Sequence, residues 1–304
     1  MDFGESVIQI EGASSLKNTV RFLLLLFLAL LLTACSIYPW GGYNVGVRPN
    51  APNGGSSGSE LAKQGVTETV VKPVVAPSKR AVPPGPAAPV VWEVPVKQRA
   101  VFITIDDGWF PSPKVLELMR LYHLPLTAFL IQQAVAEHIS YWQEFVKLGG
   151  SIEDHTYSHP FLTRISPNED LAQISSPIQY FRQLGANPNE LRPPYGDCDL
   201  VVQKMAAKAG IKHVVMWDAI MADGKLTTYN GRPLAPGAIV LMHWLPGLGQ
   251  NLETLLGLLK RQNLGVASLT DALDGSPIRV VSPDKLGLPS TERSVYGNVY
   301  GNHD

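Results

Sequence analysis

From about residue 98 onward, short apolar runs rich in β-branched and aromatic residues alternate with longer stretches of helical periodicity. Ala100 to Ile105 is apolar almost without interruption and ends at Asp106-Asp107-Gly108. That is the pattern of a strand buried on both faces that stops at a turn. Pro113 to Leu121 predicts a helix and Leu126 to Ile131 the next strand. Tyr141 to Leu148 predicts a helix ahead of Gly149-Gly150, and Ser151 to Glu153 a short strand. Asn168 to Leu184 reads as a helix interrupted near Pro177, where a ring nitrogen has no hydrogen to donate, and Asp199 as the cap of a helix running through Ala209. Ile211 to Met216 and Ala238 to Met242 predict strands, Leu252 to Arg261 the last clear helix and Gly265 to Leu269 the last strand. Strands alternating with helices imply an α/β fold built on a parallel sheet or barrel, with functional side chains at the C-terminal strand ends.

The segments outside this region have a different character. Lys17 and Arg21 precede an apolar run from Phe22 to Leu32, followed by Thr33-Ala34-Cys35. The run falls short of the ~20 residues a membrane span needs, so residues 1–35 read as a targeting signal. Leu32-Thr33-Ala34-Cys35 resembles a bacterial lipobox, which implies that Cys35 is acylated, becomes the mature N-terminus and holds an exported chain on the membrane, facing the cell wall or periplasm. An ordinary cleaved signal and an uncleaved anchor are the other readings, and each also exports the chain. Residues 36–97 are rich in Pro, Gly, Ser and Val and read as a tether. Residues 98–275 carry the folded domain, and residues 276–304 read as a peripheral or disordered tail. With Cys35 acylated, Cys198 is the one remaining thiol, so no intramolecular disulfide can form. A formal net charge of −1 gives no electrostatic reason to expect nucleic acid as a partner.

Asp106 and Asp107 stand at the end of an apolar strand, where buried carboxylates need a cation, hydrogen bonds or a metal. On their own they read equally as a capped Asp-Gly turn. His155 and His159 are spaced i and i+4, which on a helical turn sends both rings to one side. With one carboxylate they make a two-His, one-Asp set suited to a catalytic divalent ion with open positions. Downstream, Arg192-Pro193-Pro194-Tyr195-Gly196 holds Arg192 and the Tyr195 N–H in a stiff frame. Gly237 to His243 is an apolar strand ending in a histidine.

Thr104 to Gly108, His155 to His159, Arg192 to Gly196 and Ile239 to His243, in that order, resemble the polysaccharide deacetylase (NodB homology) family, carbohydrate esterase family 4. The resemblance covers roughly Gln98 to Leu273 and implies that family's distorted (β/α) barrel. It implies that Asp107, His155 and His159 bind zinc or a similar divalent ion such as cobalt, that Asp106 is the general base, and that Arg192 pairs with it. It further implies that the Tyr195 N–H stabilises the oxyanion, that His243 protonates the leaving amine, and that Trp217 and Leu241 receive the acetyl methyl group. The implied reaction removes N-acetyl groups from a cell-surface polysaccharide of N-acetylglucosamine or N-acetylmuramic acid units. An O-acetyl esterase and a turnover-poor saccharide-binding lipoprotein are the alternatives. The chain departs from the family pattern at Asp154, often Asn, which adds negative charge beside His155, and at Trp244, often Asp. Ile220 stands where an acid often supports the catalytic histidine, leaving Asp218 or Asp223 to substitute.

Overall fold

The computed structural model describes residues 79–287, and the signal, the lipobox with Cys35, most of the tether and the end of the tail lie outside them. The strands are β1 (Val90–Val91), β2 (Ala100–Asp107), β3 (Thr127–Leu130), β4 (Ser151–Asp154), β5 (Glu190–Leu191), β6 (His213–Val215), β7 (Ala219–Ala222), β8 (Lys225–Thr228), β9 (Ile239–His243), β10 (Gly265–Ala267) and β11 (Val280–Val281). They form one curled sheet in the order β1-β6-β5-β4-β3-β2-β9-β7-β8, with β10 beside the first half of β2 and β11 beside β10. All pairings are parallel except β7 with β8 and β10 with β11. Helices Pro113–Tyr122, Ile139–Lys147, Pro167–Arg182, Leu200–Ala209 and Leu248–Arg261 connect the strands. This is the expected α/β distorted barrel.

Every residue of β2 is buried, which explains its unbroken apolar sequence. Val101, Ile103 and Ile105 join the core that includes Leu118, Leu252 and Leu255 of the surrounding helices. Ala100 and Phe102 face the other way, into a core with Phe129, Leu191, Ile239 and Leu241. This second face also carries Thr104, whose Oγ1 donates to Val240 O at 2.8 Å. Alternation along β2 therefore puts Thr104 and Asp106 on one side.

Three local expectations differ. Pro177 does not interrupt its helix, which runs from Pro167 to Arg182 behind a complete Ser166/Glu169 capping box. Residues 79–97, assigned by composition to the tether, belong to the folded domain. β1 pairs with β6, Met216 N donates to Val91 O, and Val94 N donates to Gly237 O at 3.0 Å just before β9. This segment thus links β6 to the chain entering β9. At Gly237, with φ of 89°, an added Cβ would stand 2.5 Å from Val94 O, so the seam needs glycine. Here pairing with β6 and with the chain entering β9, not solvent, takes up part of its backbone hydrogen bonding. At the other end, Val281 pairs with Val266 and Leu286 is fully buried, so the first part of the 276–304 tail is packed as well.

Candidate active site

The C-terminal ends of β2, β4, β5 and β9 meet at one point. β2 delivers Asp106 and Asp107, and alternation would send them to opposite faces. Asp107 instead has φ of 83°, and both carboxylates are buried within reach of His155. His155 follows β4 directly, with its N–H donating to Leu130 O of β3.

His155 and His159 converge, but not by the helical turn that their spacing suggests. The segment after β4 is a loop with left-handed backbone at Thr156 (φ 74°) and His159 (φ 62°). Asp154 shapes it by accepting from Thr156 N at 2.6 Å, and the Thr156 hydroxyl accepts from His159 N at 3.0 Å. Burial raises the Asp154 pKa well above the usual carboxylate range, which disfavours the negative charge expected beside His155.

Asp107 Oδ1 stands 3.6 Å from His155 Nε2 and 3.5 Å from His159 Nε2. Ligand atoms bound 2.0–2.2 Å from a tetrahedral ion stand roughly 3.3–3.6 Å apart, so both carboxylate–imidazole spacings suit a zinc-type ion. Their protonation fits too. Burial lowers the pKa of both histidines to about 3, leaving neutral imidazoles, and desolvation followed by the charge of Asp106 pushes Asp107 up to about 7, a carboxylate in want of a cation. The other ring nitrogen of His155, Nδ1, lies 2.6 Å from Arg192 O, which fixes the tautomer and aims Nε2 at Asp107.

Arg192, at the end of β5, is fully buried. Its Nη1 donates to Asp106 Oδ1 and Thr104 Oγ1, both at 2.8 Å, while Nη2 and Nε donate to Met216 O and Val215 O at the end of β6. The guanidinium also lies 4.3 Å from the centre of the Phe129 ring. Thr104 and Phe129 were not among the candidate residues. Their position on the inward face of adjacent strands was the available signal.

His243 ends β9 in register with Asp106. Burial is the main cause that lowers its pKa, opposed by the charge of Asp106 and reinforced by that of Arg192. Of the two acids that were to stand in for Ile220, Asp223 is exposed at the turn between β7 and β8, and Asp218 engages Ile239 N at the opposite end of β9 from His243. Trp217 and Leu241 are buried members of the same apolar core. Tyr195 has φ of 60° and an exposed ring, stacked on Phe161 at 4.0 Å and edge-on to His159 at 4.5 Å. Phe161 is a further residue that motif reading passed over.

The family model for polysaccharide deacetylase matches residues 93–214. A chitooligosaccharide deacetylase of Bradyrhizobium is 31% identical over 48% of this chain and 70% of its own length. A peptidoglycan-N-acetylglucosamine deacetylase of Bacillus cereus is 29% identical over 50% of this chain and 58% of its own. Among solved structures, an activity-restored mutant of a carbohydrate esterase family 4 pseudoenzyme from Bacillus anthracis superposes with a TM-score of 0.55 at 26% identity, covering 63% of this chain and 73% of that one. With its barrel, its strand-end acids and these relatives taken together, the chain belongs to the polysaccharide deacetylase family.

Proposed function

We propose that the protein is a metal-dependent hydrolase that removes N-acetyl groups from N-acetylglucosamine or N-acetylmuramic acid units of a cell-wall or cell-surface polysaccharide. The observation that carries this reading is the convergence of Asp107, His155 and His159, whose ligand atoms all lie within 4.8 Å of one another, beside a separate buried carboxylate, Asp106. Asp107, His155 and His159 would hold a zinc-type ion, which when bound would supply Lewis-acid chemistry and acidify water. Asp106, oriented by Arg192 and Thr104, accepts the proton of the attacking water. The Tyr195 N–H donates to the oxygen that gains charge, and His243 returns a proton to the departing amine nitrogen. Trp217 and Leu241 supply apolar surface for the acetyl methyl group. A saccharide-binding role without turnover has no evident need for a general base at Asp106.

Incubation with chitooligosaccharides and with peptidoglycan fragments should release acetate and new primary amine in equal amounts. Chelation, or His155→Ala or His159→Ala, should abolish both together with about one bound divalent ion per chain. Acetate without amine would make the enzyme an O-acetyl esterase instead, and full activity in a metal-free chain would defeat the metal assignment.

For location, we propose export and a lipid anchor at Cys35, supported by the apolar run and the lipobox-like Leu32 to Cys35. Cys35→Ala should shift the protein from the membrane fraction to the soluble one or leave it as precursor. An unaltered chain that is soluble and begins beyond residue 35 would contradict this.

A further inference from the structure

Besides Asp107, two further residues of the site sit in backbone conformations that an L side chain disfavours: His159 at φ 62° and Tyr195 at φ 60°. Such a residue is strained and persists only when its surroundings over-determine it. His159 is followed by Phe161 and the short turn Leu162–Arg164, and Tyr195 by Asp197 and the helix cap Asp199. These two loops are joined directly, because Thr163 donates to the Asp197 carboxylate through both N and Oγ1 at 2.8 Å. Phe161 stacking on Tyr195 is the second join.

A third join comes from far upstream. Arg80 sits in the segment that composition assigned to the tether and ahead of residues 93–214, yet its side chain is only 14% exposed. Nη1 donates to Leu162 O at 2.9 Å, to Ile165 O at 2.8 Å and to the Asp170 carboxylate. Nη2 and Nε donate to Asp199 Oδ1 at 2.8 Å and Oδ2 at 3.4 Å. Asp170 lies in the first turn of the helix after the His159 loop, and Asp199 caps the helix after the Tyr195 loop by accepting from Val202 N. One planar guanidinium therefore spans both loops at once, a task a point-charge ammonium performs poorly. Without it, Asp170 and Asp199 would be two buried carboxylates that have lost a shared cation.

We propose that Arg80 is a positioning residue of the active site: by bridging the Leu162–Ile165 carbonyls and Asp170 to Asp199, it holds the loops bearing His159 and Tyr195 in register. It acts through those loops and touches no reacting atom. The proposal rests on reading Asp107, His155 and His159 as a metal site. A catalytic domain cut at residue 98 would lack this bridge altogether.

The test uses the full chain and its Arg80→Ala and Arg80→Lys variants, checked for folding by circular dichroism. Co²⁺ is titrated against a chromophoric chelator, the visible spectrum of bound Co²⁺ is recorded, and kcat and KM are measured on a chitooligosaccharide at saturating metal. For folded Arg80→Ala the expected result is roughly tenfold weaker Co²⁺ binding, of the size seen when groups orienting metal ligands are removed. An altered Co²⁺ spectrum and a fall in kcat larger than any rise in KM should accompany it. Should the alanine variant not fold, the lysine variant decides: partial loss of affinity and kcat supports the proposal, and values equal to the unaltered chain overturn it. Folded Arg80→Ala with unchanged affinity, spectrum and kcat overturns it as well. An unaltered chain that takes up no Co²⁺ overturns the metal-site reading and this proposal with it.

Discussion

Asp106→Asn is expected to keep its metal and lose 10²–10⁴-fold in turnover, on the order attributed to general acid–base catalysis. The amide oxygen of the new side chain can still accept from Arg192 Nη1, which now bonds Asp106 Oδ1 at 2.8 Å, so the hydrogen bond is kept and the proton acceptor lost. This comes at a cost in stability, because the Arg192 charge stays buried without its partner. Asp107→Asn, one residue on, should behave differently. Its Oδ1 stands within 3.6 Å of both histidine Nε2 atoms, so a neutral amide there weakens the metal site itself, and excess metal should restore part of the activity. Metal content by atomic spectroscopy and turnover at saturating metal separate the two. Near-normal turnover of metal-loaded Asp106→Asn would remove Asp106 from the role of base.

That two neighbouring aspartates differ so sharply was legible in the sequence only in outline. The apolar run into Asp106-Asp107-Gly108 gave the strand, its end and the turn, because a strand buried on both faces has few other spellings. It could not show how both side chains reach one site, which depends on the left-handed backbone at Asp107 itself. The histidine pair was found for a partly wrong reason. Spacing i to i+4 suggested a helical turn, whereas a loop held by Asp154 and Thr156 brings the rings together. Periodicity describes repeating backbone, and here convergence comes from single residues with unusual φ.

The domain boundary was missed for a related reason. Residues 79–97 lack periodicity because they are extended chain pairing at a sheet edge, and their composition is that of a linker. Nothing local distinguishes Arg80 from a solvated arginine. Its partners at Leu162, Ile165, Asp170 and Asp199 are remote in sequence, and only the fold assembles them. The β7–β8 hairpin escaped notice as well, although Asp223-Gly224 lies at its turn, because its strands alternate less clearly than the buried ones.

Arg192→Ala should be the most destabilising single change at the site. Arg192 is fully buried and gives hydrogen bonds to Asp106, Thr104 and the carbonyls of Val215 and Met216. Removing one member of a buried pair typically costs about 3–5 kcal/mol, because the other charge remains buried without its partner. In a domain of this size that lowers the melting temperature by roughly 10 °C. Arg192→Lys keeps a charge but not the fork that meets Asp106, Thr104 and Met216 together, so it should recover only part of the loss. The double variant Asp106→Asn with Arg192→Ala separates the causes. If the stranded carboxylate dominates, the double variant melts above Arg192→Ala alone, since neither charge is then left buried without the other. If the two melt together, the cost lies instead in the lost carbonyl bonds and the packing on Phe129, and the Asp106–Arg192 pair serves catalysis rather than stability.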